Sequence, residues 1–382
     1  MNSSIIYRVR ATPVSVPAKP DSINSPGVDE TDAKFAKKFQ TGGLWSEFHL
    51  QTKWIIELFT ENDLSGIGET YRSVTKEDVQ QAMSHILGKD VMQLNWRNLP
   101  VDNPRVYDAI ESAVMDLAGK MMQAPVFQLL GGAFRDRIEC NGWTGRRSPQ
   151  DAARKAYEAM QRGHTVFKFK CADNDNVGAW AQEIKNRCGS KIKILLDPNQ
   201  RWHDVETTLR LMEGVPLDMM YGLEDPVDRQ DYVGFRTLRE KLKIPLFVHI
   251  ALPYRHMGQK KQDLITAMRE RCADGFNING PMFDFISLAE TAAIEGLPCW
   301  HGSEVDLGIL EASALHAIAA SSLSTIPADI FGELVRQDDL IKQGIVFEKG
   351  KALIPQGHGL GVELDHQALA KFKIGEIWEA KK

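Results

Sequence analysis

From residue 135 onward the chain alternates short apolar runs with amphipathic stretches, and this order constrains the fold more than any other feature. The runs are IECNGWT, VFKFK, IKILLD, MMYGLED, PLFVHI, GFNI and LPCWHG. Between them lie stretches with helical periodicity: from Ser148, near 175–187, near 203–213, near 231–240, and after each later run. Repeated strand-then-helix order predicts parallel strands with helices outside them. Seven or eight such units in about 200 residues fit a (β/α) barrel. An open doubly wound sheet is the rival, and no GxGxxG follows the first strand of the series to support it.

The first third of the chain reads differently. Residues 5–16 and 47–60 are rich in β-branched and aromatic side chains and predict strands of an antiparallel sheet. Between them, 18–44 carries Pro20, Pro26, Gly27, Gly42 and Gly43 and predicts a long loop, expected with Trp45 to cover the barrel mouth as a lid. Helical periodicity runs through 76–90 and 104–122, and Gly131-Gly132 ends the region.

Composition narrows the function classes. A net charge of -5 leaves no basic excess to neutralise a nucleic-acid backbone. The five cysteines, Cys140, Cys171, Cys188, Cys272 and Cys299, show no CxxC spacing, so neither a disulfide framework nor a zinc site is expected, and reduced thiols fit the cytoplasm. Arg8 and Arg10 stand where a signal peptide needs an apolar run, and no stretch reaches the roughly 18 apolar residues of a membrane span.

In a barrel, reactive groups sit at the C-terminal ends of strands. The second strand ends Val166-Phe167-Lys168-Phe169-Lys170. Side chains two apart share a face, so Lys168 and Lys170 both point into the mouth if the phenylalanines pack outward. Two ammoniums there repel, which is expected to depress at least one pKa and make an amine usable as a base. The competing reading is a pair of solvated lysines at an exposed strand end. Asp197 ends the third strand within DPNQRW, and Glu224 ends the fourth within GLEDPV. Either alone is an ordinary turn residue. Together they put two hard oxygen donors on neighbouring tips, as Mg²⁺ prefers.

KxK, DPNQRW and GLEDPV, in this order and spacing, resemble the enolase superfamily on its mandelate-racemase side. GIGET at 66–70, AIESAVMDL at 109–117 and GHGLGVE at 357–363 resemble the same family, so the likeness runs through essentially the whole chain. It implies a modified (β/α)7β TIM-type barrel at 133–340 under an α+β cap formed by 1–132 and completed by the 341–382 tail. It implies one Mg²⁺ per subunit, a small carboxylate substrate, an enolate intermediate and a homo-oligomer. Lys170 would be the base, and Lys168 would neutralise the substrate carboxylate. Removing a proton beside a carboxylate leaves two negative charges on an enediolate, and a metal plus a nearby ammonium lowers that cost.

Three strands depart from the family pattern. The fifth, PLFVHI, has no acid, and His249 stands where the glucarate-dehydratase-like branch places a neutral ligand. It is read as the third ligand, with a supporting histidine and a water ligand as the alternative. The sixth brings Asn277 and Asn279 to its tip instead of a lysine or aspartate, and Asp274 reads as the strand start. The seventh ends at His301, read as an acid that protonates a departing hydroxyl, or else as a packed histidine. Asn199, Asn277, Trp143, Arg146, Glu304 and Asp306 are the candidates for substrate contact, with Asp329 a further polar candidate, whereas Arg147 reads as part of a solvated helix start. The expected reaction is dehydration of an acid sugar, an aldonate or aldarate, to a 2-keto-3-deoxy acid. The alternatives are an epimerase or racemase, and a non-catalytic homologue that keeps its metal.

Overall fold

The structure, a computed structural model, describes residues 4–25, 28, 52–72, 74–251 and 257–382. Most of the expected lid, Trp45 included, lies outside these residues. Three antiparallel strands open the chain: β1 (Ile6–Ser15), β2 (Thr52–Thr60) and β3 (Ser65–Glu69). Helix α1 (Lys76–Ile86) starts at a reciprocal pair of hydrogen bonds between Thr75 and Asp78. Helix α2 (Pro104–Met122) starts at Asn103, whose side chain accepts from the Arg105 N–H, with Pro104 at the first helical position where its missing N–H has no consequence.

Helix α2 lies directly on β3. A Cβ on Gly66 would stand 2.0 Å from the Ala113 carbonyl oxygen, and one on Gly68 only 1.9 Å from that of Ala109. The two glycines are therefore what lets strand and helix touch. Gly68→Ala should lower unfolding free energy by about 1–3 kcal/mol, because helix backbone cannot move aside as a side chain can. An unchanged urea midpoint would show that the contact is not needed.

A short α3 (Val126–Leu129) leads into β4 (Arg137–Glu139) and β5 (Gly142–Thr144). IECNGWT, expected as one strand, is thus two: it breaks at Cys140-Asn141, and only β5 joins the parallel sheet. Strands and helices then alternate: α4 (Pro149–Gln161), β6 (Val166–Lys170), α5 (Val177–Cys188), β7 (Lys193–Asp197), α6 (Val205–Met212), β8 (Met220–Glu224), α7 (Tyr232–Leu242), β9 (Leu246–Ala251), α8 (Met257–Arg269), β10 (Gly275–Ile278), α9 (Met282–Ala293), β11 (Cys299–His301) and α10 (Gly308–Ala319). Among the described residues, β5 to β11 form one parallel sheet in chain order.

An irregular eighth stave closes the ring. On one side Asp329 N donates to His301 O at 3.0 Å; on the other, Asn141 N donates to Ala328 O at 2.9 Å and Ala328 N to Glu139 O at 2.8 Å. Seven β/α units followed by this stave make a (β/α)7β barrel, as the resemblance implied. Period-two alternation is visible in β6. Val166 joins Leu195, Phe247, Trp300 and Ile326 in the barrel interior, while Phe167 and Phe169 pack outward in the cluster that holds Trp180 and Ile184 of α5.

The chain ends with α11 (Gly332–Val335), β12 (Phe347–Glu348), β13 (Lys351–Leu353), α12 (His366–Phe372) and β14 (Trp378–Lys381). Strand β13 pairs with β4, and β14 returns to the other edge of β1. All five cysteines are buried and unpaired. No described helix is long and apolar enough to cross a membrane.

Candidate active site

Strand β6 delivers Lys168 and Lys170 to the C-terminal end of the barrel, and parallel pairing sets Lys170 opposite Asp197 of β7. The Lys170 ammonium lies 2.5 Å from Asp197 Oδ2 and donates to Asn199 Oδ1 at 2.7 Å. The Lys168 ammonium, 1% exposed, is ringed by carboxylates: Glu224 Oε2 at 2.7 Å, Asp329 Oδ2 at 2.8 Å and Asp197 Oδ2 at 3.2 Å. Asp329 comes from the eighth stave and is held by Asn141 Nδ2 at 2.9 Å and the Trp300 indole N–H at 3.3 Å.

At Lys168 this ring of carboxylates outweighs the repulsion expected between the two ammoniums. Burial alone would lower the Lys168 pKa, but Asp329, Glu224 and Asp197 hold it well above its ordinary value. Lys168 is a fixed positive charge. Burial would raise Asp197, yet Lys170 and Lys168 keep it below the usual carboxylate range. Glu224 goes the other way: burial and then the neighbouring Asp197 push it from 4.5 up to about 8. Once Glu224 ionises, three carboxylates face two ammoniums, and the charge balance has room for a cation.

The next donors stand on adjacent tips. Ligand atoms of Glu224, Asp225 and His249 lie within 4.8 Å of one another. Both oxygens of Asp225 are engaged, Oδ1 by the His249 N–H at 3.0 Å and Oδ2 by Arg229 Nε at 2.5 Å, so Asp225 braces β8 against β9. Glu224 offers oxygen, and His249 offers an imidazole nitrogen 3.7 Å from Glu224 Oε1. Burial holds His249 well below its ordinary pKa, in the neutral form a metal needs. Glu224 and His249 could therefore share a divalent cation; Asp197, on the next tip, is outside the group whose donor atoms lie this close. The tips are also where backbone strain collects: Asn199 (φ 48), Gln200 (φ 69), Asp225 (φ 45) and the β-branched Val305 (φ 63) are left-handed.

The raised Glu224 makes cation binding depend on pH. Its folded value stands above its ordinary one, so ionising it destabilises the metal-free protein as pH rises from 4.5 to about 8. A bound cation offsets that charge, and binding below pH 8 expels a proton. The apparent Kd for a divalent ion should therefore fall by up to about tenfold per pH unit between pH 6 and 8, then level off. Calorimetry in buffers of different ionisation enthalpy reads the released proton directly; a flat pH profile would contradict the Glu224 assignment.

Several expected substrate contacts have other occupations. The Trp143 ring stacks on Phe331 at 4.6 Å, beside Ile23, Val305 and Val335. Arg146 Nε pairs with Asp175 at 2.7 Å, and its N–H donates to Asn24 Oδ1. Glu304 takes Arg72 at 3.1 Å, and Asp306 takes Lys53 at 2.9 Å. Arg147, expected in solvent, is buried and pairs with Asp21 and Asp151. These side chains join residues 18–25 and the N-terminal sheet to the barrel mouth. His301 is also differently placed. Its Nδ1 meets Gly302 O at 2.6 Å, its Nε2 meets Gly280 O at 3.2 Å, and its ring leans on Phe285, so each ring nitrogen faces a backbone carbonyl, of which a neutral imidazole donates to one. Asn277 does reach the site, donating to Glu224 Oε1 at 2.7 Å. The ring's remaining members, Asn141 and Asp329, come from segments where sequence patterning marks no regular strand tip.

Comparison with known proteins agrees with this architecture. A family profile described as enolase C-terminal domain-like matches residues 151–368. The chain is 23% identical over 340 residues to the N-succinyl-L-Arg/Lys racemase of Bacillus cereus, covering 84% of this chain and 90% of that one. It is 27% identical over 353 residues to muconate cycloisomerase 1 of Pseudomonas putida, with coverage of 84% and 90%. The crystal structure of N-succinyl Arg/Lys racemase from Bacillus cereus superimposes with a TM-score of 0.80 over the full length of both chains, at 19% identity.

Proposed function

We propose, since this chain belongs to the enolase C-terminal domain-like family, that it is an isomerase that removes and returns the proton beside the carboxylate of a small substrate. The observation that carries this reading is the convergence of Lys168 and Lys170 on Asp197, at 3.2 and 2.5 Å, at the tips of adjacent strands. Lys170, at the very end of β6, is the base. Lys168 stays an ammonium among its carboxylates and opposes the charge that develops on the substrate. Asp197, Glu224 and His249 would hold Mg²⁺, which supplies electrophilic stabilisation of the carboxylate oxygens when bound. Residues 133–340 would form the catalytic unit, with 1–132 and 341–382 as its cap.

Isomerisation is favoured over the acid-sugar dehydration expected from the motifs. The named relatives are a racemase and a cycloisomerase. His301, on which loss of hydroxide would depend, has both nitrogens on backbone carbonyls. β10 carries Asn277, with Asn279 just beyond its end, and neither exchanges protons, so removal and return of the proton would both fall to Lys170.

The test is exchange of the α-proton in D₂O with a divalent ion present, over a panel of N-acyl amino acids, muconate-type diacids and acid sugars. Deuterium uptake without loss of water supports the reading. Uptake with loss of optical activity indicates a racemase or epimerase, and uptake with retention indicates chemistry on one face. Formation of a 2-keto acid from an acid sugar, without exchange into recovered substrate, would overturn it.

A further inference from the structure

We propose that the metal seat of this chain is a mixed nitrogen–oxygen site, with His249 Nδ1 as a direct donor and Asn279 setting its tautomer, so that it favours Mn²⁺ or Co²⁺ over Mg²⁺. This rests on the reading that Asp197 and Glu224 hold a divalent cation. Strand β9 carries His249 beside β10, and parallel pairing puts it level with Asn277. Two residues on, the Asn279 side-chain oxygen stands 2.9 Å from His249 Nε2. An amide oxygen only accepts, so Nε2 carries the proton. In a neutral ring the lone pair is then on Nδ1.

That lone pair faces the carboxylate. Nδ1 is 3.7 Å from Glu224 Oε1, too far for a hydrogen bond. Two donors each about 2.1 Å from one ion stand roughly 3–4 Å apart, which this separation satisfies. The ring is held from three sides. Its backbone N–H is bonded to Asp225, its Nε2 to Asn279, and only 7% of the residue is exposed. Asn279 is confined in turn: a Cβ on Gly302 would come within 1.9 Å of its oxygen.

The consequence is chemical. Mg²⁺ binds oxygen and loses its waters reluctantly, whereas imidazole suits first-row transition ions, whose affinity rises from Mn²⁺ to Co²⁺. A carboxyl in the place of His249 would leave an all-oxygen seat. The imidazole tilts the preference and leaves the seat one charge less negative.

The experiment uses the full chain stripped with EDTA. Mn²⁺ binding is followed by the EPR signal of the free ion, Mg²⁺ by competition against it, and the bound Mn²⁺ by pulsed EPR. The proposal expects Mn²⁺ to bind at least about tenfold more tightly than Mg²⁺. It expects ¹⁴N modulation on bound Mn²⁺ that His249→Ala removes. Asn279→Ala should weaken Mn²⁺ by about 10–100-fold, as loss of an orienting partner does elsewhere. Equal affinities, or bound Mn²⁺ without ¹⁴N modulation in the parent protein, overturn the proposal. The parent measurement needs no variant to fold. If Mn²⁺ binds without ¹⁴N modulation and Asp197→Asn or Glu224→Gln abolishes it, the proposal fails while the metal-site reading stands. If neither ion binds, that reading fails as well.

Discussion

Turnover should fall by roughly 10²–10⁴-fold when Lys170 is replaced by alanine, while the protein keeps its divalent-ion affinity. Lys170 ends β6 with its ammonium on Asp197 and Asn199, where the proposed reaction places its base. On the proposed mechanism, removing it deletes the base and one positive charge together. Lys170→Arg separates the two, since a guanidinium keeps the charge and does not deprotonate. Both variants should be equally poor in kcat. Neither should lose the cation, because Lys170 competes with it for Asp197; affinity should hold or rise. Steady-state kinetics with calorimetric metal titration decides the matter. An arginine variant with near-parental kcat would move the base elsewhere, and Lys170 would then be only an electrostatic partner.

The largest stability effect should come from Lys53, far from the chemistry in sequence. Its ammonium is fully buried, 2.5 Å from Glu69 Oε1 and 2.9 Å from Asp306 Oδ1. It sits on β2, Glu69 ends β3, and Asp306 lies in the loop after β11, so one charge joins the antiparallel sheet to the barrel mouth. Glu69 also accepts from the Leu307 and Leu310 N–H groups at the start of α10, at 2.8 and 3.0 Å. Lys53→Met would strand two carboxylates away from water. Breaking a buried pair by removing one partner costs about 3–5 kcal/mol, and that loss of unfolding free energy is expected in urea. The pH dependence has a definite sign. Burial already holds Glu69 above its ordinary value, whereas Lys53, working against burial, keeps Asp306 below its own; without Lys53 both carboxyls rise. Acids raised in the folded state add stability when protonated, so the variant should recover toward acidic pH and lose ground as pH rises. Adding Glu69→Gln to Lys53→Met should recover part of the loss. A single variant with parental stability would mean that water reaches the group.

What could be read from the chain alone was local. Alternation in VFKFK places Lys168 and Lys170 on one strand face because the period of a strand is two residues, whatever surrounds it. Asp197 and Glu224 follow apolar runs, so they end strands and reach the mouth once β/α order makes the sheet parallel. The glycines of GIGET carried only a resemblance, and the structure supplies their reason, since only residues without Cβ let β3 meet α2 at the observed distances. The same locality explains what stayed unread. Trp143, Arg146, Glu304 and Asp306 were expected at the substrate because they lie near strand ends, but nearness to a tip does not say which neighbour a side chain meets.

By itself, the sequence determined the barrel, the two lysines and two carboxylates at its mouth, and the imidazole on the fifth strand, because each follows from spacing along one strand or from element order. The tertiary structure alone decided which charges touch. Lys168 meets Asp329 across 161 positions, and Lys53 meets Asp306 across 253. Such contacts depend on how sheets close and where loops return, and no local periodicity encodes that. It likewise turned His301 onto backbone carbonyls and made Lys168 a permanent charge, since burial and the number of surrounding carboxylates are properties of the packed molecule.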